Sequence, residues 1–217
     1  MQLEEMAAFF ERRIDGYDAH MLRDIEGAAE FYPFTASCLP DGPAAVLDLG
    51  CGTGLELDAY FRRNPAARVT GLDLSEAMLD VLRAKHPDAA LTLVQGSYFD
   101  LPFGEALYDA AVSVESLHHF TAAEKRPLYE KLVRALRPGG FFILTDYFAP
   151  SDAEEVRMRT EYERLRAAQG LPEGVFFHYD TPLTVAHESE VLKSAGFRST
   201  EVLGCWGNTV CLRARMN

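Results

Sequence analysis

The sequence predicts a doubly wound α/β fold, in which helices cover both faces of a mostly parallel sheet. From about residue 44 onward, short apolar runs alternate with amphipathic segments. The predicted strands are 45–49, 68–72, 91–95, 108–114 and 140–145. The predicted helices between them are 55–63, 75–85 and 122–136. Because these strands are apolar along their length, we expect the sheet to be buried on both faces.

The two ends of the chain have a different pattern. Apolar residues at helical spacing begin at Leu3 and again at Met21, with Gly16 between the two stretches. Pro33 and Pro40 are expected to bend or end the second stretch. Toward the other end we predict a charged surface helix at 151–169, a helix at 185–195, and closing strands at 197–203 and 208–213. Arg137–Gly140 predicts a turn that precedes the strand at 140–145.

The composition bears on possible partners and location. The 217 residues carry 21 Lys and Arg against 33 Asp and Glu, a net charge of −12. A negative average field repels polyanions, which disfavours nucleic acids and anionic membrane surfaces as partners. The longest apolar runs fall far short of the roughly 18–20 residues that cross a bilayer. The N-terminus carries glutamates where a secretory signal is basic, so we expect a cytoplasmic protein with no membrane partner.

The cysteine and histidine positions indicate no metal site. Cys38, Cys51, Cys205 and Cys211 form no Cys-x-x-Cys pair and do not cluster with histidine. This spacing disfavours both a disulfide framework and a zinc site. His118 and His119 are adjacent, and two adjacent residues on a helix cannot both face one point. The sequence therefore predicts no bound metal.

The sharpest motif is a glycine-rich loop between a predicted strand and a predicted helix. Gly50, Gly52 and Gly54 follow the strand at alternate positions, where glycine permits tight turns and close approach of a ligand to the main chain. The spacing differs from the G-x-G-x-x-G of dinucleotide binders, and no G-K-[ST] follows it. Asp73 ends the next strand, where a carboxylate can accept both hydroxyls of a ribose. A site for an adenosine-containing ligand is predicted, and an NAD-dependent oxidoreductase is disfavoured.

Residues 48–54 and 71–79 resemble the class I S-adenosylmethionine-dependent methyltransferases of the small-molecule type (methyltransferase domain 25/11-like). The resemblance continues at 96–103, 108–113, 136–140 and 195–197. It implies a Rossmann-like, seven-stranded sheet with an antiparallel last strand, and S-adenosyl-L-methionine as cofactor. We expect one domain, made of a helical cover (1–43), a cofactor-binding core (44–148), a lid-like insertion (149–183) and a closing helix with a strand pair (184–217).

The same resemblance implies roles for individual residues. Asp48 and the glycine loop (Gly50, Cys51, Gly52, Gly54) would hold the methionine part of the cofactor, and Asp73 its ribose. Leu74 and Met78 would pack on the adenine, although their spacing also fits an ordinary buried helix face. Tyr17 would reach the cofactor's carboxylate. Ser97 stands where many relatives carry Asp, so Ser97 or Tyr98 would meet the adenine.

The residues around the reacting atoms are expected in three loops. These are 115–120, 146–148 and 175–180, the last with three aromatic residues and a histidine that either shield the reaction or anchor a lid. A general base is needed only when the acceptor carries a proton. We predict that His118 or His119 acts as that base, oriented by Glu115, which also borders the cofactor.

The predicted function is methyl transfer to a small-molecule acceptor by in-line displacement. A tRNA-modifying (methyl or carboxymethyl) transferase and a cofactor-binding regulator without turnover remain alternatives. The sequence predicts a monomer or a homodimer.

Overall fold

In the computed structural model, which describes residues 1–216, seven strands form one sheet in the order β3-β2-β1-β4-β5-β7-β6. The strands are β1 Ala45–Leu49, β2 Arg68–Asp73, β3 Ala90–Gln95, β4 Tyr108–Val114, β5 Leu136–Tyr147, β6 Ser199–Trp206 and β7 Thr209–Arg215. Strands β1 to β5 pair in parallel, whereas β7 runs antiparallel to both of its neighbours. The doubly wound fold with an antiparallel last strand is therefore confirmed.

Eight helices surround the sheet within residues 1–216. They are α1 Met6–Glu11, α2 Tyr17–Asp24, α3 Ala28–Cys38, α4 Leu55–Arg63, α5 Glu76–Lys85, α6 Ala122–Ala135, α7 Asp152–Gln169 and α8 Val185–Ser194. Local signals set several of their starts: the Ser75 hydroxyl accepts the N–H of Met78, and Thr121 forms a capping box with Glu124. No described helix has both the length and the apolar character to cross a membrane.

One helical expectation for the N-terminal region is wrong. Gly27 has φ +76°, a left-handed conformation, and it separates α2 from α3 where one continuous stretch was predicted. Of the two prolines expected to bend or end this stretch, Pro33 lies inside α3 and does not end it, whereas α3 ends at Cys38, two residues before Pro40. A proline removes only one helical hydrogen bond, and tertiary packing holds the helix together because Phe31 and Ala36, on either side, are buried.

The turn predicted at Arg137–Gly140 is a bulge inside β5. Leu136 already pairs with Tyr108, and the next paired residues are Phe141 and Ala110. The register therefore shifts by several residues on β5. Gly139 has φ +81°, which accommodates the extra residues.

The strand order places a cleft at the carboxyl ends of β1 and β4. Strands β2 and β3 lie on one side of β1, and β4 and the later strands on the other, so the order reverses between β1 and β4. Ligands of open α/β sheets bind at such a switch point. Apolar clusters cover both faces, with Leu132 and Leu192 on one and Leu57 and Leu79 on the other.

A buried ion pair joins α6 to α8. The Nζ atom of Lys125 lies 2.5 Å from Oε2 of Glu188, the Tyr129 hydroxyl donates to the same carboxylate, and Lys125 and Glu188 are at most 1% exposed. Replacing Glu188 with alanine leaves an unpaired buried charge, so we expect a loss of about 3–5 kcal/mol of unfolding free energy. Urea denaturation measures it, with Glu190→Ala on the exposed face of the same helix as control. Equal stability of the two variants would contradict this prediction.

Candidate active site

The glycine loop forms one wall of the cleft, and its glycines have different structural roles. A side chain at Gly50 would lie 2.1 Å from the Ser116 Oγ atom, and one at Gly54 would lie 2.4 Å from a methyl carbon of Leu82. These two glycines allow close packing. A side chain at Gly52 would meet nothing within 4 Å, so the main chain there borders open space. The loop therefore offers bare backbone at Gly52, as a bound ligand requires.

Asp73 holds this loop in place. Its two carboxylate oxygens accept N–H groups from Gly52, at 2.8 Å, and from Ser75, at 2.9 Å. Burial raises the pKa of Asp73, and the backbone N–H groups oppose the shift. Each carboxylate oxygen has further lone pairs, so Asp73 can still accept from the hydroxyls of a ribose.

Asp48 lies beneath the loop beside a second acid, Glu56, that sequence analysis missed. Asp48 is 1% exposed and Glu56 is 4% exposed. Both oxygens of Asp48 and Oε1 of Glu56 are buried without a hydrogen-bond donor among residues 1–216. Burial and the adjacent Glu56 raise the pKa of Asp48 well above its ordinary value. Buried carboxyls without partners are costly, which indicates a missing polar or cationic ligand.

The remaining cofactor residues predicted from the sequence lie around the same cleft. Tyr17 begins α2 and lies near Asp73, Glu56 and Glu115, and its pKa is raised by burial and then by their charges. Cys51 is a buried thiol packed next to Gly71.

The residues expected near the adenine divide into two groups. Met78 is buried and Leu74 packs at the edge of a core cluster. The Tyr98 hydroxyl donates to the Ser116 carbonyl oxygen, and Ser97 Oγ accepts the N–H of Phe99. Ser97 thus caps the local turn, and its role toward adenine stays a prediction.

These features fit S-adenosylmethionine. The open main chain at Gly52, the carboxylate of Asp73 and the unpartnered oxygens of Asp48 match the ribose and the cationic amino-acid part of that cofactor. The surrounding acidic groups suit a ligand with an ammonium and a sulfonium.

A cavity of about 790 Å³ opens beside this wall. Helices α1 and α2, the loops after β4 and β5, the segment around 178–180 and the β6–β7 turn enclose it. Its aromatic and apolar lining includes Phe9, Phe10, Met21, Tyr147 and Trp206. The cavity thus has a mixed lining, in which aromatic and apolar residues stand beside acidic, arginine and imidazole groups.

Glu115 lies at the carboxyl end of β4, where the cofactor wall meets this cavity. Its φ of +49° is left-handed, an uncommon conformation for a residue with a Cβ atom. The Thr209 hydroxyl donates to its carboxylate, 3.1 Å away. Burial raises the pKa of Glu115 to about 7, and the charge of His118 opposes that shift.

His118 is held by carboxylates at both ring nitrogens. Its Nδ1 atom lies 2.5 Å from the Asp146 carboxylate, and its Nε2 atom lies 3.5 Å from Asp180. Burial alone would lower the pKa of His118, but Asp146 and then Asp180 raise it well above its ordinary value. A charged imidazole bound at both nitrogens cannot accept a proton.

The pKa of His119 is shifted in the opposite direction to that of His118. Its Nδ1 atom lies 3.1 Å from the carbonyl oxygen of Tyr179 and 3.3 Å from Asp180, so Nδ1 carries the hydrogen and Nε2 keeps the lone pair. Burial, followed by the positive charge of His118, lowers the pKa of His119. Its neighbour His178, stacked on Phe9, has its pKa lowered to about 4 by burial and by His119.

Two expectations about the histidines are wrong. His118 and His119 lie in a turn rather than on a helix, and both contact Asp180. The hydrogen-bond partner that orients His118 is Asp146, because β4 and β5 are neighbours, while Glu115 bonds to Thr209 instead. The ligand atoms of His118, His119 and Asp180 lie within 4.8 Å of one another and have the composition of a metal site. Their present contacts are those of protonated nitrogens.

The aromatic residues at 175–180 mainly anchor this segment to the rest of the molecule. Phe176 packs on Phe99 and Phe120, and Tyr179 stacks on Tyr162 of α7. The segment contributes His178 and Asp180 to the cavity lining. Asp180 belongs to a loop predicted near the reacting atoms, and the sequence does not distinguish it from its neighbours.

Comparison with known proteins matches residues 46–140 to the methyltransferase domain family. A fatty-acid O-methyltransferase of Mycolicibacterium smegmatis is 36% identical over 54% of this chain and 42% of its own length. A tRNA (carboxymethyluridine(34)-5-O)-methyltransferase of Arabidopsis thaliana is 32% identical over 59% of this chain and 30% of its own length. The chain thus spans less than half of either relative.

A solved structure supports the fold over almost the whole chain. A candidate O-methyltransferase of Nostoc punctiforme superposes with a TM-score of 0.73 at 21% identity, and the match covers 99% of this chain and 62% of that one. Together with the family match, the strand order and the glycine loop beside Asp73 indicate S-adenosylmethionine as the cofactor. The family match over residues 46–140, the strand order and the glycine loop together support a class I S-adenosylmethionine-dependent methyltransferase.

Proposed function

We propose that this chain transfers a methyl group from S-adenosylmethionine to a hydroxyl oxygen of a small molecule. The observation that carries the proposal is His119, a neutral imidazole on the cavity wall whose Nδ1–H is fixed by the Tyr179 carbonyl. A hydroxyl acceptor carries a proton at neutral pH and needs a base of this kind.

In this proposal, residues of the chain bind the cofactor, align the acceptor and accept its proton. When bound, the cofactor supplies a methyl group activated by its sulfonium. The glycine loop and Asp73 would hold the cofactor, and the aromatic cavity would exclude water and align the acceptor. As the new carbon–oxygen bond forms and the carbon–sulfur bond breaks, Nε2 of His119 would take the hydroxyl proton. Asp180 and the Tyr179 carbonyl would orient the ring and stabilise its charged form.

The charges around the cavity support a small acceptor over RNA. Arg12 and Arg13 line the cavity but both pair with Glu4. Three arginines of α7, Arg157, Arg159 and Arg164, are likewise paired with glutamates of the same helix. The fourth, Arg166, donates to the Pro172 carbonyl oxygen. Binding of an RNA backbone depends on cations that are free to contact phosphates. The relative from Mycolicibacterium smegmatis, whose name specifies fatty acids, is consistent with a largely apolar acceptor.

Methyl-labelled cofactor offers a direct test. The protein is incubated with the labelled cofactor and either the small-molecule fraction or the tRNA fraction of a cell extract, and products are identified by mass spectrometry. We expect labelled O-methyl products in the first fraction, unaffected by EDTA. Label only in tRNA would support the tRNA-modifying alternative suggested by the Arabidopsis thaliana relative. Cofactor binding without transfer to either fraction would indicate a regulator.

A further inference from the structure

His118, His119 and Asp180 meet on the wall of the cavity and form a cluster that we call the histidine triad. One carboxylate oxygen of Asp180, Oδ1, lies 3.5 Å from Nε2 of His118 and 3.3 Å from Nδ1 of His119. The ligand atoms of the three residues all lie within 4.8 Å of one another. Charge-assisted hydrogen bonds from nitrogen to oxygen are about 2.7–2.9 Å long, so the triad is wider than optimal hydrogen bonds would make it.

The spacing of the triad matches that of ligands around a tetrahedral zinc ion. Zinc binds imidazole nitrogens and carboxylate oxygens at about 2.0–2.2 Å, which places two ligand atoms roughly 3.3–3.5 Å apart. The two distances from Asp180 agree with this separation. An octahedral magnesium ion would need ligand atoms about 2.9 Å apart, and it prefers oxygen to nitrogen. Both the spacing and the kind of donor therefore favour zinc over magnesium.

Asp146 supports the triad from the other side of the His118 ring. Its Oδ1 atom lies 2.5 Å from Nδ1 of His118, which is the ring nitrogen that does not contact Asp180. This separation is too short for two ligands of one zinc ion and is that of a hydrogen bond. A carboxylate that accepts the second N–H of a zinc-bound histidine fixes the tautomer and the orientation of the ring. Asp146 thus directs Nε2 of His118 toward the metal position.

The triad is accessible from the cavity and has acidic surroundings. All three of its residues line the cavity, and the side chain of Asp180 is 43% exposed although both imidazoles are buried. The carboxylates of Asp146 and Glu115 lie close to His118 and add negative charge that favours a dication. An ion can therefore enter from the cavity, and three protein ligands leave its fourth position for water.

We propose that the histidine triad binds a zinc ion, and that the bound ion blocks methyl transfer by occupying Nδ1 of His119. Zinc displaces the hydrogen on Nε2 of His118, which leaves to solvent, while His119 exchanges its hydrogen on Nδ1 for one on Nε2. A neutral imidazole in this form has no free lone pair, so it cannot accept a hydroxyl proton. The inhibition rests on the proposed function, whereas the zinc site does not.

Competition with a chromogenic zinc indicator tests the site without cofactor or acceptor. The full-length protein, freed of metal with EDTA and dialysed, should bind one zinc ion per chain, and magnesium in large excess should not displace it. Asp146→Asn should weaken zinc binding roughly tenfold to a hundredfold, as loss of a supporting carboxylate does, and His119→Ala and Asp180→Asn should weaken it further. Unchanged affinity for S-adenosylhomocysteine would show that each variant is folded.

The matched control is His187→Ala, at a histidine near carboxylates on the surface. Nδ1 of His187 lies 2.8 Å from Glu155, and its Nε2 atom lies 4.0 Å from Asp152. This variant should bind zinc as wild type does. Equal zinc affinities of wild type, His119→Ala and Asp180→Asn would overturn the proposal, because the ion would then bind elsewhere, for example at a cysteine.

Methyl transfer to the labelled acceptor tests the inhibition. One equivalent of zinc should slow transfer by about 100-fold or more, the smallest effect expected when a positioned base is lost, and EDTA should restore the rate. Undiminished transfer by the zinc-bound protein, or transfer that requires zinc, would overturn the inhibition. Failure of the proposed function would instead appear as an absence of product without zinc, and it would leave the indicator titration unchanged.

Discussion

Replacing His119 with alanine is expected to slow methyl transfer by roughly 100- to 10,000-fold, the range that a positioned general base contributes. The affinity for S-adenosylhomocysteine should stay within about twofold, because the variant keeps the glycine loop and Asp73. Single-turnover rates with the labelled acceptor, together with calorimetric titration, measure the two quantities separately.

The pH profile gives an independent check on His119. Burial and the charge of His118 lower the pKa of His119, so its folded pKa lies below the ordinary 6.5. The imidazole therefore stays neutral as the pH falls toward that value, and kcat/KM should decline only below about pH 6.5. His187→Ala, on α8, is the control. Unchanged turnover in His119→Ala would exclude this histidine as the base.

Replacing Asp73 with alanine should weaken S-adenosylhomocysteine binding by roughly a hundredfold or more, since charge-assisted hydrogen bonds contribute about 1.5–3 kcal/mol each. The variant loses the acceptor for the ribose and also the two bonds that hold the N–H groups of Gly52 and Ser75. Competition against labelled S-adenosylmethionine measures the change.

The matched control for that loss is Asp100→Ala. Asp100 follows β3, the neighbour of β2, and is exposed. Removing its charge should leave the dissociation constant unchanged. Equal affinities of Asp73→Ala and wild type would show that the cofactor binds elsewhere.

Features that depend on a few neighbouring residues were predictable from the sequence. The start of α5 follows from the Ser75 cap and the apolar spacing after it, and both appear as expected. The glycine loop lies between β1 and α4, as predicted from the order of an apolar run, three glycines and an amphipathic segment. The parallel core follows from the mostly apolar strands, since β1 and most of β4 are buried.

The histidine cluster could not be predicted in this way. His118 and His119 lie in a turn whose shape depends on Asp146 and Asp180, residues 28 and more positions away in sequence. Those contacts make one ring charged and the other neutral, a difference that adjacent positions in the sequence do not reveal.

Glu56 was overlooked for a related reason. In the first turn of a helix, a glutamate usually lies in solvent and faces the positive end of the helix dipole. Only the packing of α2 and α3 over α4 buries it against Asp48. A polar residue among the apolar positions Leu55 and Leu57 was the available signal, although it has no meaning until the covering helices are known.

Ligand-induced thermal stabilisation tests most directly whether this protein binds S-adenosylmethionine. S-adenosylmethionine and S-adenosylhomocysteine, each at about 100 times its dissociation constant, should stabilise the folded protein by about 2.7 kcal/mol. NAD at the same concentration should have no effect, and Asp73→Ala should lose the response at those ligand concentrations. Stabilisation by NAD, or none by the two sulfur ligands at any concentration, would contradict the assigned cofactor and the transfer proposed from it.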